Sequence, residues 1–164
     1  MGRFDKRKKL EHLLEAHKLM KRSDIGLILV GPDNDGSLQS NKGGNVFLLG
    51  PIYGDERFEL LSASDVYCLP GLVGLSIVDA FYCGLPLVTE EGVHAPEIMY
   101  LKDGVNGFIV PEGDIQQLMF KLLLLCEDDK MREKFSREAR AEIMTNGHIE
   151  TMCKGFNQAI EYVS

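Results

Sequence analysis

Short apolar runs, most of them closed by glycine or proline, alternate with longer amphipathic stretches along this chain of 164 residues. The runs predict buried strands at residues 25–30, 45–49, 66–69, 87–89 and 107–110. The stretches predict helices at residues 8–22, 55–62, 74–82, 114–126, 130–144 and 148–162, a helical turn at 96–99 and a loop at 32–45. Strands that alternate with helices predict an α/β fold. We expect a Rossmann-like parallel sheet with helices on both faces, in one domain of residues 1–164.

Composition and charge narrow the functional classes. The net charge of −7 argues against nucleic-acid binding. No apolar run approaches the roughly 20 residues that a membrane span needs, and the basic start is not followed by the apolar run of a secretory signal. The four cysteines are widely spaced, without a Cys-x-x-Cys pair, which is typical of reduced thiols in a cytoplasmic protein.

Parallel α/β sheets bind ligands outside the carboxyl ends of their strands. The segments expected at this edge are residues 2–9, 31–35, 50–54, 69–75 and 89–97. The first of them carries five cations ahead of the first predicted helix, namely Arg3, Lys6, Arg7, Lys8 and Lys9. Because a helix N-terminus favours anions, this cluster indicates either a bound phosphate or a solvated charge run.

A glycine-rich connection follows the third predicted strand. Gly71 leaves the strand and Gly74 opens a helix that contains Asp79. The glycines indicate either a close backbone approach to a ligand or a plain strand–helix–strand connection, and they match neither the dinucleotide fingerprint nor the phosphate loop. Glu97 is a common type of first-turn acid. No Ser/His/Asp set, Cys/His pair or metal cluster stands out, so no metal or cofactor is expected.

Three segments, in order, resemble the C-terminal domain of the group 1 (family 4) glycosyltransferases. They are GRFDKRKKLEHLLEA, VGLSIVDAFYCGLPLV and PEIMYLKDGVNGFIV, and the resemblance runs from Gly2 to about Tyr162. It implies the GT-B fold, with this chain as the nucleotide-sugar-binding half. It also implies transfer of a sugar from a UDP- or GDP-linked donor to an acceptor hydroxyl, with retention at the anomeric carbon and no obligatory metal.

The resemblance implies specific site residues. Arg3 and Lys8 stand at the positions of the family's catalytic cations, which hold the diphosphate. Asp79 stands where the family has a glutamate that binds the ribose hydroxyls. Gly71 stands where a second glutamate touches the donor sugar, and it has no side chain to offer. The other implied donor contacts are Gly31, Gly50 and Tyr53 near the base, with Gly74, Leu75, His94 and Glu97 nearer the phosphates and sugar. Two alternatives stay open: core or surface packing for Tyr53, and a plain surface position for His94.

In the family an N-terminal half closes over the donor. The implied partners are therefore that half, the donor, and an acceptor glycan or lipid-linked sugar in polysaccharide or glycoconjugate biosynthesis. The implied location is the cytoplasm, with contact to the inner membrane face through the other half. The family has an apolar strand before Gly2, and we expect either that the sheet tolerates its loss or that its boundary is irregular. Two alternatives stay open: a sugar-nucleotide-binding module without transferase activity, which Gly71 favours, and a GT-B-fold epimerase.

Overall fold

A computed structural model describes residues 1–2, 4–33 and 45–163, without the side chains of Met152 and Val163. The described residues form the strands Leu27–Val30 (β1), Val46–Leu49 (β2), Tyr67–Cys68 (β3), Leu87–Glu90 (β4) and Gly107–Val110 (β5). The α-helices are Leu10–Met20 (α1), Asp55–Ser62 (α2), Ser76–Tyr82 (α3), Ile115–Glu127 (α4), Asp129–Asn146 (α5) and Ile149–Val163 (α6), and short 3-10 helices cover Lys6–Lys8 and Pro96–Tyr100. Every predicted strand and helix is present, with ends shifted by at most two residues.

The strands are parallel and belong to two sheets. In the first sheet β1 pairs with β2, and Leu27 lies opposite Val46. The second sheet has the order β3-β4-β5, and Leu87 lies between Tyr67 and Gly107. All four residues of β4 are buried, as expected for a strand with neighbours on both edges. The parallel topology confirms the predicted α/β class, although the described strands are divided between two sheets.

Met1 and Gly2 connect the two sheets. The Gly2 amide donates to the carbonyl of Val30 at 2.8 Å, and the Tyr67 hydroxyl donates to the carbonyl of Met1 at 3.2 Å. Next to this connection lies a cavity of 490 Å³ that is lined by residues of both β1 and β3. Met1 and Gly2 therefore lie between the two sheets, beside this cavity.

Helices flank the sheets and leave the carboxyl ends of the strands to loops. Helix α1 packs against α4, and α3 packs against α5. One core contains buried side chains of α1, α3 and α4, among them Leu13, Ile77, Phe81, Leu118 and Leu125. Within the described ranges, no helix is long and apolar enough to cross a membrane. The segments that follow β3 and β4 are held by backbone hydrogen bonds to the turn at residues 7–8 and to each other.

The first predicted helix does not begin at Lys8. Asp5 caps the 3-10 helix Lys6–Lys8, since its Oδ1 accepts a hydrogen bond from the Arg7 amide at 3.0 Å. Lys9 then adopts a left-handed conformation with φ 48° and ψ 44°, which separates this turn from α1. Lys8 therefore lies in a tight turn ahead of the helix, and the predicted helix start is wrong.

Candidate functional site

The turn that carries Lys8 packs against the bend after β3. The amide of Gly71 donates to the Lys8 carbonyl at 3.1 Å, and the amide of Leu72 donates to the Arg7 carbonyl at 2.7 Å. The Lys8 Nζ lies 3.5 Å from the carbonyl oxygen of Leu72, and a Cβ built on Gly2 would lie 4.0 Å from that Nζ. Burial lowers the pKa of Lys8. A half-buried cation is thus held beside the carboxyl ends of β1 and β3.

Gly71 and Gly31 are glycines because the chain's own backbone approaches them. A Cβ on Gly71 would lie 1.9 Å from the carbonyl oxygen of Arg7, and a Cβ on Gly31 would lie 1.9 Å from that of Gly2. Gly31 also has φ 153°, in the region that favours glycine. The sequence predicts donor contacts at both positions. The structure shows each glycine packed against backbone of residues 2–8, and the predicted donor contacts stay predictions.

A cavity of 230 Å³, here called the Asp79 cavity, opens beside Asp79. Its lining includes Gly2, Arg57, Leu75 and Asp79. An Arg57 Nη1 lies 3.3 Å from the Asp79 Oδ2, while the Arg57 Nε is buried without a hydrogen-bond partner among the described residues. Burial raises the pKa of Asp79, and the Arg57 cation opposes that shift. The cavity therefore combines a carboxylate, a guanidinium and the start of the chain.

His94 and Glu97 lie in the segment after β4. The Val73 amide donates to His94 Nδ1 at 3.2 Å, and Nε2 donates to the Glu90 carbonyl at 2.9 Å. Both ring nitrogens are thus occupied, and His94 joins two loops instead of lying free on the surface. Glu97 opens the second 3-10 helix, which packs on α3, and its Oε2 is buried with no hydrogen-bond donor in the described part of the chain. A buried carboxylate oxygen without a protein donor is costly, so this oxygen needs a partner from a ligand or from water.

The remaining predicted residues are less closely grouped. Arg3 lies outside the described residues. Gly74 precedes α3, and a Cβ there would make only an ordinary contact. Gly50 faces open space and Tyr53 is 77% exposed, and neither is among the described residues that line the Asp79 cavity. The structure thus does not bring these two predicted base contacts to Asp79, and their roles stay predictions.

Acids already pair with two cations of the predicted cluster. Arg7 pairs with Asp5 at 3.1 Å, and Lys9 bridges Glu90 at 3.2 Å and Glu112 at 2.6 Å. Arg7 and Lys9 therefore offer a phosphate less net positive charge than their number alone indicates, and the bound phosphate stays a prediction. No group of three His, Cys, Asp or Glu side chains within the described ranges is arranged to hold a metal ion.

The family model for glycosyl transferases group 1 matches residues 1–142. The chain belongs to this family. Its group 1 relatives include the phosphatidyl-myo-inositol mannosyltransferase of Mycobacterium leprae, 30% identical over 145 residues, and the sulfoquinovosyl transferase SQD2 of Arabidopsis thaliana, 28% identical over 146 residues. The alignments cover 82% and 87% of this chain but only 38% and 29% of the relatives. The chain thus spans less than half the length of either relative.

Solved structures share the fold of this group 1 domain. Sucrose-phosphate synthase from Thermosynechococcus elongatus superposes with a TM-score of 0.84 at 22% identity, over 99% of this chain and 44% of that one. HepE of Anabaena, solved with UDP-glucose, gives 0.80 at 22% identity over 98% and 48%. The C-terminal domain of the group 1 protein LpcC from Francisella tularensis gives 0.75 at 21% identity over 91% and 84%. These likenesses confirm the Rossmann-like half of a GT-B fold.

Sequence reasoning missed two charged residues of this group 1 domain, Arg57 and Glu90. Arg57 lies in α2 among other charged side chains, and nothing in the sequence distinguishes it. Glu90 does carry a signal, because it is an acid at the end of the apolar strand β4. A carboxylate buried at such a position needs partners, and a search for cations that could reach it would have pointed to the N-terminal turn.

Proposed function

We propose that this chain is the donor-binding domain of a glycosyltransferase that uses a UDP- or GDP-linked sugar and an acceptor hydroxyl, in polysaccharide or glycoconjugate biosynthesis. The observation that carries the proposal is that Lys8 and Asp79 both lie near Gly2, in a chain of the group 1 family. Transfer with retention, and without a metal or another cofactor, is part of the proposal.

The proposed role of Lys8 follows from the charge of the leaving group. A departing nucleoside diphosphate gains negative charge, and without a metal that charge must be stabilised by cations and amides. Lys8 supplies a half-buried ammonium, and partial burial strengthens its attraction to a phosphate. We assign Arg3 to the same task from its place in the motif. The complex of HepE with UDP-glucose supports a nucleotide sugar as the ligand class.

The proposed role of Asp79 is to accept hydrogen bonds from the ribose hydroxyls. Its carboxylate faces a cavity, and the nearby Arg57 favours its ionised, accepting form. The buried Oε2 of Glu97, in the segment that packs on α3, supports a further polar contact to the donor. Gly74 and Leu75 precede the helix that carries Asp79, and we place the phosphates near their amides.

A second candidate function is sugar-nucleotide binding without catalysis. It is favoured by Gly71, because the backbone of residues 7–8 occupies the space that a side chain at this position would need. The domain therefore lacks a carboxylate there for the donor sugar. Both candidates predict nucleotide binding by this domain, and they differ in whether the longer protein transfers sugar.

A ligand screen tests the proposal. Thermal shifts with UDP, GDP, ADP and their sugars identify the nucleotide, and calorimetry then compares variants. Lys8→Ala and Arg3→Ala should weaken diphosphate binding by about 1–3 kcal/mol, the range of a charge-assisted hydrogen bond, and barely change binding of the free nucleoside. Lys130→Ala, at an exposed cation of α5, is the control. Equal losses for nucleoside and diphosphate would contradict the assignment.

The same preparation addresses catalysis. We expect the chain alone to bind the donor without transferring its sugar, because transfer also requires a positioned acceptor. Incubation of a bound nucleotide sugar with common acceptor glycans, followed by mass spectrometry, measures any product. A glycosylated acceptor would show that acceptor contacts lie within this domain.

A further inference from the structure

The carboxylate of Glu90 is fully buried and has three hydrogen-bond donors around it. His12 Nδ1 lies 2.7 Å from its Oε1, and Lys9 Nζ lies 3.2 Å from its Oε2. The amide of Gly113 donates to Oε2 at 3.1 Å. An unpaired buried carboxylate costs several kcal/mol, and these donors offset that cost. Two of them, Lys9 and His12, belong to the N-terminal segment, here meaning the 3-10 turn and the start of α1.

The backbone of Glu90 binds the other loops of the candidate site. Its amide donates to the carbonyl of Pro70 at 3.1 Å, and its carbonyl accepts from His94 Nε2 at 2.9 Å. His94 in turn accepts from the Val73 amide at 3.2 Å. One residue thus touches the N-terminal segment, the bend after β3 and the segment after β4.

The side chain of Glu90 is connected to Lys8 through Lys9, the next residue in the chain. Lys9 adopts a left-handed conformation that a lysine disfavours, and its own side chain forms no helix cap for α1. Its ammonium is instead anchored on Glu90 and on the exposed Glu112. The same conformation ends the 3-10 turn directly after Lys8.

We propose that Glu90 is the positioning residue of the diphosphate site and that it holds Lys8 in place through Lys9 and His12. This inference rests on the proposed function, in which Lys8 binds the diphosphate. Glu90 itself does not touch the ligand, because its side chain is fully buried and its carboxylate contacts protein donors. A purely structural role would weaken nucleoside and diphosphate binding alike, whereas a positioning role weakens the diphosphate contact alone.

A double-mutant cycle tests the proposal, with whichever of UDP, GDP and ADP binds the wild type most tightly. Glu90→Gln keeps the shape of the side chain and removes its charge. We expect about tenfold weaker diphosphate binding, unchanged nucleoside binding, and almost no further loss when Lys8→Ala is already present. Losses that multiply in the double variant would overturn the proposal, because they would show that Glu90 and Lys8 act independently.

Two further variants test the proposal even if Glu90→Gln does not fold. Lys9→Met removes the connecting ammonium but leaves His12 and Gly113 on the carboxylate, and it should lower diphosphate affinity in the same selective way. Glu112→Gln removes the charge of the exposed partner of Lys9 but keeps the pair with the buried Glu90, so it should lower diphosphate affinity by less than Lys9→Met does. If Lys9→Met leaves diphosphate affinity unchanged while Lys8→Ala reduces it, the positioning role is wrong and the proposed function stands. If Lys8→Ala has no effect, both fail.

Discussion

Restoring a glutamate at Gly71 should damage this domain. A Cβ there would lie 1.9 Å from the carbonyl oxygen of Arg7 and 2.7 Å from the carbonyl carbon of Lys8, far inside normal contact distance. These atoms are backbone, so the whole turn must move to relieve the clash. Movement breaks the hydrogen bonds from the amides of Gly71 and Leu72 to that turn.

The expected loss follows from those contacts. Two backbone hydrogen bonds contribute about 0.5–1.5 kcal/mol each, so Gly71→Glu and Gly71→Ala should lower the free energy of unfolding by about 1–3 kcal/mol. For a domain of this size that corresponds to a Tm lower by about 2–12 °C. Because Lys8 moves with the turn, diphosphate affinity should fall as well, and the new carboxylate should not restore contact to the donor sugar.

Differential scanning calorimetry and isothermal titration with the preferred nucleotide measure both effects. Gly155→Ala and Gly155→Glu are matched controls, because a Cβ at Gly155 in α6 meets nothing within 4 Å. A Gly71→Glu variant with a Tm within about 1 °C of the wild type, and tighter binding of the nucleotide sugar, would refute the reasoning. That result would mean that the turn yields without cost.

Three further outcomes test the site. Asp79→Asn should keep the fold and weaken ribonucleotide binding by about 1–2 kcal/mol, while a deoxyribose analogue binds both forms alike; a lower Tm with an unchanged ribose preference would make Asp79 structural. Burial raises the pKa of Asp79, and ribonucleotide binding should fall as acidification protonates this carboxylate. Arg57→Met should raise that pKa further, so binding titrations across pH should show the loss of ribonucleotide affinity at a higher pH than in the wild type. Because Gly71 offers the donor sugar no side chain, free nucleoside diphosphate and its sugar should bind within about threefold, and a much tighter sugar complex in titration would contradict this.

The fold could be predicted from the sequence because its signals are local. Short apolar runs that end at glycine or proline leave few alternatives to buried parallel strands, and the residues between them repeat at helical spacing. The start of α1 could not be predicted in this way. Nothing in the sequence around Lys9 favours a left-handed lysine, which is held by contacts to Glu90 and Glu112, 81 and 103 residues away.

The candidate site was predictable in part. Glycine at Gly31 and Gly71 correctly signals a close approach, but a glycine does not reveal whether a ligand or the chain's own backbone comes close. Asp79 was distinguishable as an acid in an otherwise apolar helix, and the structure places it at a cavity. Arg57 was not distinguishable, because its partner is 22 residues away and three acids surround it in its own helix.

Gly71 and Glu90 both contact the turn that contains Lys8 and Lys9, and the two contacts are related. The turn fills the space that a side chain at residue 71 would need, so it packs closely against the bend after β3. In this position the turn contains Lys9 in a left-handed conformation, which is unfavourable unless surrounding contacts stabilise it. Glu90 supplies that support from β4 with a carboxylate that faces the protein. The domain thus has no carboxylate at residue 71 and has a buried one at residue 90 that pairs with Lys9, next to Lys8. With Lys8 on the diphosphate as we propose, recognition should rest on the nucleotide more than on the sugar.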